Sequence, residues 1–309
     1  MDTGLETSVW DVVIVGAGPA GLSAALILAR CCRKVLLCDR GTPRSWASKA
    51  MYGFLSRDAI APDEFRSLSK TELKKYPNVE YRQGEVTRAE RMGTLFQVLI
   101  DGTYIKARKI LIATGVMDSL PTIEGFAELF GRGVFQCPYC DGWEFRDQRI
   151  AVYGKGRRGL EMGRALTAWT SRIVVCTDGP SELPDDERQQ LQRNGIELVE
   201  DELIRLVSVA GQLQHLEFEN SKRIDCDAVF FDTPSYNQST LSESLGCKFD
   251  SRGGILCDHY EATSVPGVYA AGNIVKDVQL SVVAAAEGAR AAFGINRSLT
   301  RESFLARSA

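Results

Sequence analysis

The chain has 309 residues, of which 44% are apolar and 25% charged, a balance typical of globular proteins that argues against a disordered chain. At about 150 residues per domain, this length predicts two domains. The formal net charge is −3, from 37 Lys and Arg against 40 Asp and Glu. Because this leaves no basic excess to contact a phosphate backbone, it argues against nucleic acid as the main partner.

The cysteine and histidine contents limit the chemistry further. Nine cysteines stand in a chain whose acidic opening, MDTGLETSVWD, has no basic leader region. We therefore expect no secretory leader, a cytoplasmic location, and thiols that are free or used chemically. The apolar stretches are interrupted before the roughly 20 residues that a membrane helix needs. With only His215 and His259, a three-histidine zinc site is disfavoured.

The first predicted element is a buried strand at residues 9–15 that runs into a glycine-rich turn. Residues 16–21 read GAGPAG, a GxGxxG pattern, and an Ala- and Leu-rich helix follows. The next strand ends at Asp39, 18 residues after Gly21, close to the roughly 20 expected for the acid that binds a ribose hydroxyl. A lone GxGxxG is a weak signal. Strand, turn, helix, strand and acid in this order predict a dinucleotide site, with the pyrophosphate at the helix N-terminus.

A second copy of this pattern begins 138 residues later, with a short strand followed by GKGRRG at residues 154–159. A helix to about Trp169 and a further strand then lead to Asp178. Duplication of the β-α-β unit predicts two Rossmann-like domains.

Two further segments belong to the first of these domains. A buried strand ends in the sequence ATG at residues 113–115. Near the C-terminus, TSVPGVYAAGN at residues 263–273 reads as a turn, a strand and a loop, before an Ala-rich helix from about Val278 to Phe293. The predicted fold is therefore α/β with two Rossmann-like domains. The second domain, residues 118–246, is inserted between the two parts of the first, residues 1–117 and 247–309.

Between the two fingerprints lies the sequence CPYCDGWE at residues 137–144. Two cysteines three apart at a loop-to-helix junction can close a small disulfide ring, and a helix N-terminus favours the thiolate. A metal site would need more ligands, but the other seven cysteines are scattered and are expected to be small buried side chains. CPYC also resembles the glutaredoxin motif, which lies near the start of a much shorter fold. A redox disulfide is the favoured interpretation, and no metal site is predicted.

Taken together and in this order, GAGPAG, ATG, CPYCDGWE, the second fingerprint and TSVPGVYAAGN resemble the low-molecular-weight thioredoxin reductases. The resemblance covers about residues 9–296 and is nearest to the branch with CPYC or CPFC. It implies a FAD domain with an inserted pyridine-nucleotide domain that carries the disulfide, usually in a homodimer. It also implies thioredoxin or a similar dithiol as the redox partner.

The resemblance assigns roles around the disulfide. Cys140, nearer the flavin, would form the charge-transfer thiolate, and Cys137 would exchange with the substrate disulfide. Asp141 matches the acid that helps to protonate and deprotonate the dithiol, a task suited to a carboxyl with a raised pKa. A plain helix cap is the alternative interpretation of Asp141.

The residues that would bind FAD, by the same resemblance, lie in several segments of the first domain. They are Gly16, Gly18, Pro19, Ala20, Gly21, Asp39, Arg40, Val86, Thr114, Gly115, Gly272, Asn273, Gln279 and Leu280. Asn273 stands where the family has an Asp that holds the flavin ribityl chain; Asn keeps the acceptor oxygen and loses the charge. Gln279 matches the position that meets the flavin ring.

The second fingerprint leaves the electron donor open. Family members that use NADPH have a basic cluster after the second strand of the inserted domain, where Arg holds the 2′-phosphate. Here residues 175–182 read VCTDGPSE, and Asp178 would repel a phosphate, so NADPH is disfavoured. NAD stays open through Asp178, although Lys155, Arg157 and Arg158 fill the turn with long side chains. Some relatives use no pyridine nucleotide and take electrons from ferredoxin or through a second bound FAD, and we favour this alternative.

The leading functional hypothesis is a FAD-dependent disulfide oxidoreductase. One alternative is a dithiol oxidase that closes a disulfide in a small molecule and passes electrons to oxygen. Relatives of that kind typically have a His near the CxxC, where this chain has Asp141. The other alternative is a flavin-binding redox sensor without activity, and the intact CxxC argues against it.

Overall fold

The computed structural model describes residues 8–276 and 278–307. The first seven residues, which form most of the acidic opening, and the last two residues of the predicted third segment lie outside the described part. The chain forms two compact units. Unit 1 contains the described residues of 1–46, 54–117 and 236–309, and unit 2 contains residues 47–53 and 118–235. Along the chain, unit 2 thus lies between two parts of unit 1.

The first part of unit 1 is a β-α-β-α-β unit that continues into an antiparallel ladder. Its elements are β1 (Val9–Val15), α1 (Pro19–Arg30), β2 (Val35–Asp39), α2 (Pro62–Leu73), β3 (Val79–Gln83), β4 (Val86–Met92), β5 (Leu95–Ile100) and β6 (Thr103–Ile112). The sheet has the order β3-β2-β1-β6-β5-β4, parallel from β3 to β6 and antiparallel from β6 to β4. All of β2 is buried, because the two faces of a parallel sheet are covered.

Unit 2 repeats this architecture on a smaller scale. The elements from the entry strand to the exit strand are β7 (Val116–Asp118), α3 (Phe126–Leu129), β8 (Val134–Phe135), α4 (Pro138–Asp141), β9 (Ile150–Tyr153), α5 (Gly156–Leu166), β10 (Ile173–Cys176), α6 (Asp185–Arg193), β11 (Glu197–Val199), β12 (Leu203–Val209), β13 (Gln212–Phe218), β14 (Arg223–Asp225), β15 (Ala228–Phe231) and β16 (Ser235–Asn237). The main sheet, β11-β10-β9-β15-β8, is parallel throughout. Strands β12, β13 and β14 form an antiparallel sheet. Strands β7 and β16 pair with each other where the chain passes between the units, and their residues 116–117 and 236–237 group with unit 1.

The chain then completes unit 1 with α7 (Leu241–Ser244), β17 (Val268–Ala270) and α8 (Ser281–Ala306). Strand β17 pairs in parallel with β6, so the two parts of unit 1 share one sheet. Residues 236–246, placed in the inserted domain by the sequence, group with unit 1 because Leu241 is buried in its core.

Helix α8 is longer than the sequence pattern suggested. The expected end near Phe293 is wrong, since the helix continues to Ala306. Leu299 is fully buried, and Glu302 forms ion pairs with Arg108, at 3.0 Å, and with Lys109, so the added turns are anchored to unit 1. No helix in the described ranges is both long and apolar enough to cross a membrane.

Candidate active site

The turn between β1 and α1 has room only for glycine at two positions. A Cβ on Gly16, whose φ is +108°, would lie 2.3 Å from the carbonyl oxygen of Ala113. A Cβ on Gly21 would lie 1.9 Å from the carbonyl oxygen of Gly16. Helix α1 begins at Pro19, with Gly18 as its N-cap and no side-chain cap. Its first backbone N–H groups are therefore available to an anion such as a pyrophosphate.

Three predicted segments meet at the carboxyl edge of the unit 1 sheet. The N–H of Ala113 donates to the last residue of β1 at 2.8 Å, and the N–H of Ala271 donates to the last residue of β6 at 3.0 Å. The predicted pairs Thr114–Gly115 and Gly272–Asn273 follow directly, so the structure brings them to the same edge as the GxGxxG turn. Doubly wound sheets bind their ligands at this edge, where the strand order reverses.

Asp39, the predicted ribose acid, is held by three groups of unit 1. Arg66 Nη2 donates to its carboxylate at 2.6 Å, the Tyr81 hydroxyl at 3.1 Å and the Gly41 N–H at 3.2 Å. Burial alone would raise the pKa of Asp39, but the Arg66 guanidinium and the Gly41 N–H hold it below its ordinary value. Asp39 therefore stays an ionised acceptor. The sequence analysis missed Arg66 and Tyr81, which lie on α2 and β3.

The other residues predicted at this end of the site lie beside Asp39. The N–H of Gly84 donates to the Asp39 carbonyl at 3.0 Å, and Arg40 pairs with Glu85 at 3.0 Å. Val86, buried at the start of β4, is the next residue along the chain. The structure thus places Arg40 and Val86 in one corner of the site.

Gln279 and Leu280 lie at the beginning of α8. Leu280 is the N-cap of the helix and makes no side-chain cap hydrogen bond. The Gln279 side-chain oxygen accepts a hydrogen bond from the Arg44 guanidinium. Arg44 was also missed, because nothing in its own neighbourhood of the sequence connects it with a helix more than two hundred residues later.

These residues fit a dinucleotide cofactor such as FAD. Thr114 Oγ1 is buried and has no hydrogen-bond partner among the described residues. A buried hydroxyl without a partner calls for an explanation, and a bound cofactor supplies one. The uncapped α1 and the ionised Asp39 offer further groups to a pyrophosphate and a ribose.

The CxxC of unit 2 forms a disulfide at the beginning of a short helix. Cys137 and Cys140 are joined, with their Cα atoms 5.2 Å apart. Cys137 is the N-cap of α4, and its Sγ accepts a hydrogen bond from the N–H of Cys140 at 3.1 Å. A Cβ on Gly142 would lie 3.0 Å from the Trp169 ring, so glycine lets the indole pack closely against this helix. Both cysteines are half-buried and within reach of solvent.

Asp141 follows the disulfide directly, and the pKa of its carboxyl group lies near neutrality. Burial raises its pKa from 3.8 to about 7, and the neighbouring Glu144 carboxylate adds to the rise. Although Asp141 stands at the N-cap of the 3-10 turn Gly142–Phe145, its side chain makes no cap hydrogen bond there. Because its pKa lies near neutrality, the group can both give and take a proton under physiological conditions.

The second glycine-rich turn shares with the first the close approach at its third glycine, but its positive φ, +55°, falls at Gly156 rather than at the first glycine. A Cβ on Gly159 would lie 2.2 Å from the carbonyl oxygen of Gly154. Asp178, at the position of the ribose acid, has a φ of +52°. Its carboxylate accepts hydrogen bonds from the Tyr153 hydroxyl and the Leu203 N–H, both at 3.0 Å. Asp178 is therefore engaged within unit 2.

Charged side chains surround this second turn. Arg157 pairs with Glu187 at 3.0 Å. The strand β15 is followed by Asp232, whose pKa is raised by burial against the opposing effect of Arg158. The corresponding strand of unit 1, β6, is followed by uncharged residues up to Gly115.

The remaining cysteines differ in exposure. Cys38, Cys176, Cys226 and Cys247 are buried as expected, and Cys257 is partly so. Cys31 and Cys32 are exposed, which corrects the expectation of burial, because the end of α1 lies at the surface. Burial raises the pKa of the Cys38 and Cys226 thiols to about 12, so they stay protonated. Across residues 8–276 and 278–307, no group of three or more His, Cys, Asp or Glu side chains is arranged to hold a metal ion.

Comparisons with known proteins agree with this geometry. The family model of the pyridine nucleotide-disulphide oxidoreductases matches residues 10–288. The crystal structure of HlmI is 35% identical, with a TM-score of 0.95 over 99% of this chain and 98% of its own. That of a putative thioredoxin reductase TrxB from Bacillus anthracis is 32% identical, with a TM-score of 0.90 over 94% and 99%. A thioredoxin reductase of Aquifex aeolicus is 28% identical over 313 residues, or 94% of each chain. The chain therefore belongs to the pyridine nucleotide-disulphide oxidoreductase family and is a FAD-dependent disulfide oxidoreductase of the thioredoxin reductase-like type.

Proposed function

We propose that this chain moves two electrons between FAD, the Cys137–Cys140 disulfide and an external disulfide or dithiol, without a pyridine nucleotide as donor. In this proposal, residues 1–117 and 247–309 form the FAD domain, and residues 118–246 form a pyridine-nucleotide-like domain that carries the disulfide. When bound, FAD supplies a two-electron carrier. The proposed partners are thioredoxin or another dithiol protein, with ferredoxin or a second FAD as the electron source and a homodimer as the assembly.

The observation that carries the proposal is the disulfide with Asp141 beside it. Breaking the S–S bond consumes two electrons and yields two thiols once two protons are added. Asp141, with a pKa of about 7, can donate one of these protons, and solvent supplies the other to the half-buried sulfurs. In the opposite direction the Asp141 carboxylate takes a proton from the dithiol. Cys137 is the proposed exchange cysteine, and Cys140 the partner nearer the flavin.

The side chains of the second turn support a donor other than NADPH. Asp178 stands where an arginine would hold a 2′-phosphate, and it is engaged by Tyr153 and Leu203. Asp232 also follows β15 at the same edge of the sheet. Two carboxyl groups at the carboxyl ends of these strands disfavour a phosphorylated ribose.

The proposal is tested by anaerobic reduction of the purified flavoprotein. The flavin content and spectrum are recorded first, and NADPH, NADH, dithiothreitol and dithionite are then added in turn. We expect dithiothreitol and dithionite to bleach the flavin, and both nicotinamides to act slowly or not at all. Rapid, stoichiometric bleaching by NADPH or NADH would overturn the assignment of the donor. Oxygen uptake driven by a small dithiol would instead assign the direction of a dithiol oxidase.

A further inference from the structure

Helix α8 carries a buried carboxylate that contacts the backbone of the proposed FAD site. The Glu287 side chain lies in the interior of unit 1, with the residue only 4% exposed. Its Oε2 accepts a hydrogen bond from the N–H of Gly272 at 2.7 Å. A buried hydrogen bond from a backbone N–H to a side-chain oxygen is a local restraint, because leaving that N–H without an acceptor is costly.

Close packing between α8 and α1 fixes the position of this carboxylate. A Cβ on Gly288 would lie 2.0 Å from the carbonyl oxygen of Ala20, so the two helices touch through their backbones at this point. Ala20 is the second residue of α1 and lies within the GxGxxG motif. Glu287 therefore connects the turn after β17 to the region where α8 packs against the first turn of α1.

Gly272 has a conformation that needs such a restraint. Its φ is +81°, in the region that glycine enters readily, and a Cβ there would lie 3.0 Å from the Ala20 Cβ. Glycine in a turn has a wide choice of backbone conformations, and one directed hydrogen bond selects among them. The 3-10 turn Asn273–Val275 begins immediately after it, so the orientation of Asn273 depends on the Gly272 peptide.

We infer that Glu287 is a positioning residue for FAD: it holds the Gly272–Asn273 turn in the conformation that receives the cofactor. The inference rests on the proposed role of these two residues in FAD binding. Glu287 acts through the Gly272 N–H, and it needs an acceptor oxygen rather than a negative charge to do so. Gln at this position keeps that oxygen, whereas Ala and Leu remove it.

The test compares FAD binding and local backbone exchange in four variants of the full chain. Apoprotein of the wild type, E287Q, E287A and E287L is titrated with FAD, and amide hydrogen exchange is measured by mass spectrometry. E287L fills the volume that E287A leaves empty, so a folded acceptor-free variant is available if E287A does not fold. We expect E287A and E287L to raise the dissociation constant of FAD roughly tenfold or more, and E287Q to stay within about threefold of the wild type. Exchange in the peptide covering residues 271–276 should accelerate only in E287A and E287L.

E302Q is the matched control, since Glu302 is an ion-paired carboxylate on the same helix. It should leave both readouts at the wild-type level. Wild-type FAD affinity in E287L, or E287Q as weak as E287A, would overturn the inference. A wild-type protein that takes up no FAD would contradict the proposed function instead, and the exchange experiment on apoprotein would still decide whether Glu287 holds the turn.

Discussion

In the glycine-rich turn of unit 1, a Cβ on the third glycine, Gly21, would lie 1.9 Å from the carbonyl oxygen of Gly16. In the turn of unit 2, the corresponding distance from Gly159 to the carbonyl oxygen of Gly154 is 2.2 Å. Both turns connect a buried parallel strand to a helix without a side-chain cap. Close packing of strand and helix in a β-α-β unit requires this third glycine, although the turns differ before it, with a positive φ at Gly16 in unit 1 and at Gly156 in unit 2. The close approach at the third glycine alone therefore does not show that both turns bind a nucleotide.

The two turns differ in the charged side chains that surround them. The unit 1 turn carries no charged side chain and is followed by the acid Asp39 with a cation, Arg66, beside it. The unit 2 turn carries Lys155, Arg157 and Arg158, and its acid, Asp178, is engaged by neutral donors. Packing of strand against helix requires a glycine in both turns, whereas the side chains that would meet a ligand differ between them. Six substitutions, from the largest expected effect to the smallest, test this division between the units.

The largest effect is expected from C140S, which removes the disulfide of unit 2. The rate at which dithiothreitol reduces bound FAD should fall by at least about 10³-fold, because the covalent relay is lost. Stopped-flow absorbance of the flavin measures this rate. FAD content should be unchanged, and C226A, at a buried thiol of the same unit, should retain the wild-type rate. A wild-type rate in C140S would show that electrons reach FAD without the Cys137–Cys140 disulfide.

D141N should lower the rate at which the dithionite-reduced enzyme reduces an external disulfide, by about a hundredfold at pH 8. In this direction the Asp141 carboxylate takes a proton from the Cys137–Cys140 dithiol, so the wild-type rate should be low below pH 7 and increase as the pH rises through the pKa of about 7. D141N should lack this inflection. A profile with the same inflection in both proteins would assign the pKa to another group.

The same pKa predicts a dependence of stability on pH. The folded state binds the Asp141 proton more tightly than the unfolded chain does. The contribution of this proton to the free energy of unfolding is therefore complete below pH 3.8 and is lost as the pH rises to about 7. The free energy of unfolding of D141N, relative to the wild type, should therefore increase across that range. Urea titrations at several pH values measure it.

G21A and G159A form a matched pair across the two turns. Each new methyl group meets a backbone carbonyl oxygen, so the turn must shift in both variants. G21A should weaken FAD binding roughly tenfold to a hundredfold, in line with the cost of overpacking. G159A should destabilise unit 2 and leave the FAD dissociation constant within about twofold. Equal losses of FAD in the two variants would remove the distinction between the turns.

The smallest effects are expected from D39N and D178N. D39N should weaken FAD binding about tenfold, because a charged acceptor for the ribose is lost. D178N should leave FAD binding unchanged and lower the free energy of unfolding by about 1 kcal/mol, through weaker hydrogen bonds to Tyr153 and Leu203. Fluorescence titration and urea denaturation distinguish the two effects. Loss of FAD in D178N would show that the second acid also serves a cofactor.

The sequence by itself determined the features that depend on spacing within a few tens of residues. Strand, GxGxxG and helix follow one another in both units because alternation, glycine and apolar periodicity act locally. The CxxC at the beginning of α4 was predicted for the same reason. The ATG strand and the C-terminal segment TSVPGVYAAGN predicted that the first domain has two parts, and β6 and β17, one from each part of unit 1, pair in one sheet.

The tertiary structure decided what surrounds each of these features. Arg66 and Glu287 reach Asp39 and Gly272 of the proposed FAD site from elements distant in the chain, and no local pattern marks either residue. Asp141 was identified by its place after the CxxC, but its pKa depends on how deeply the folded unit buries it and on how near Glu144 lies. Burial and the pairing of distant groups exist only once the chain has packed, and they determine proton affinity and hydrogen bonding at the site.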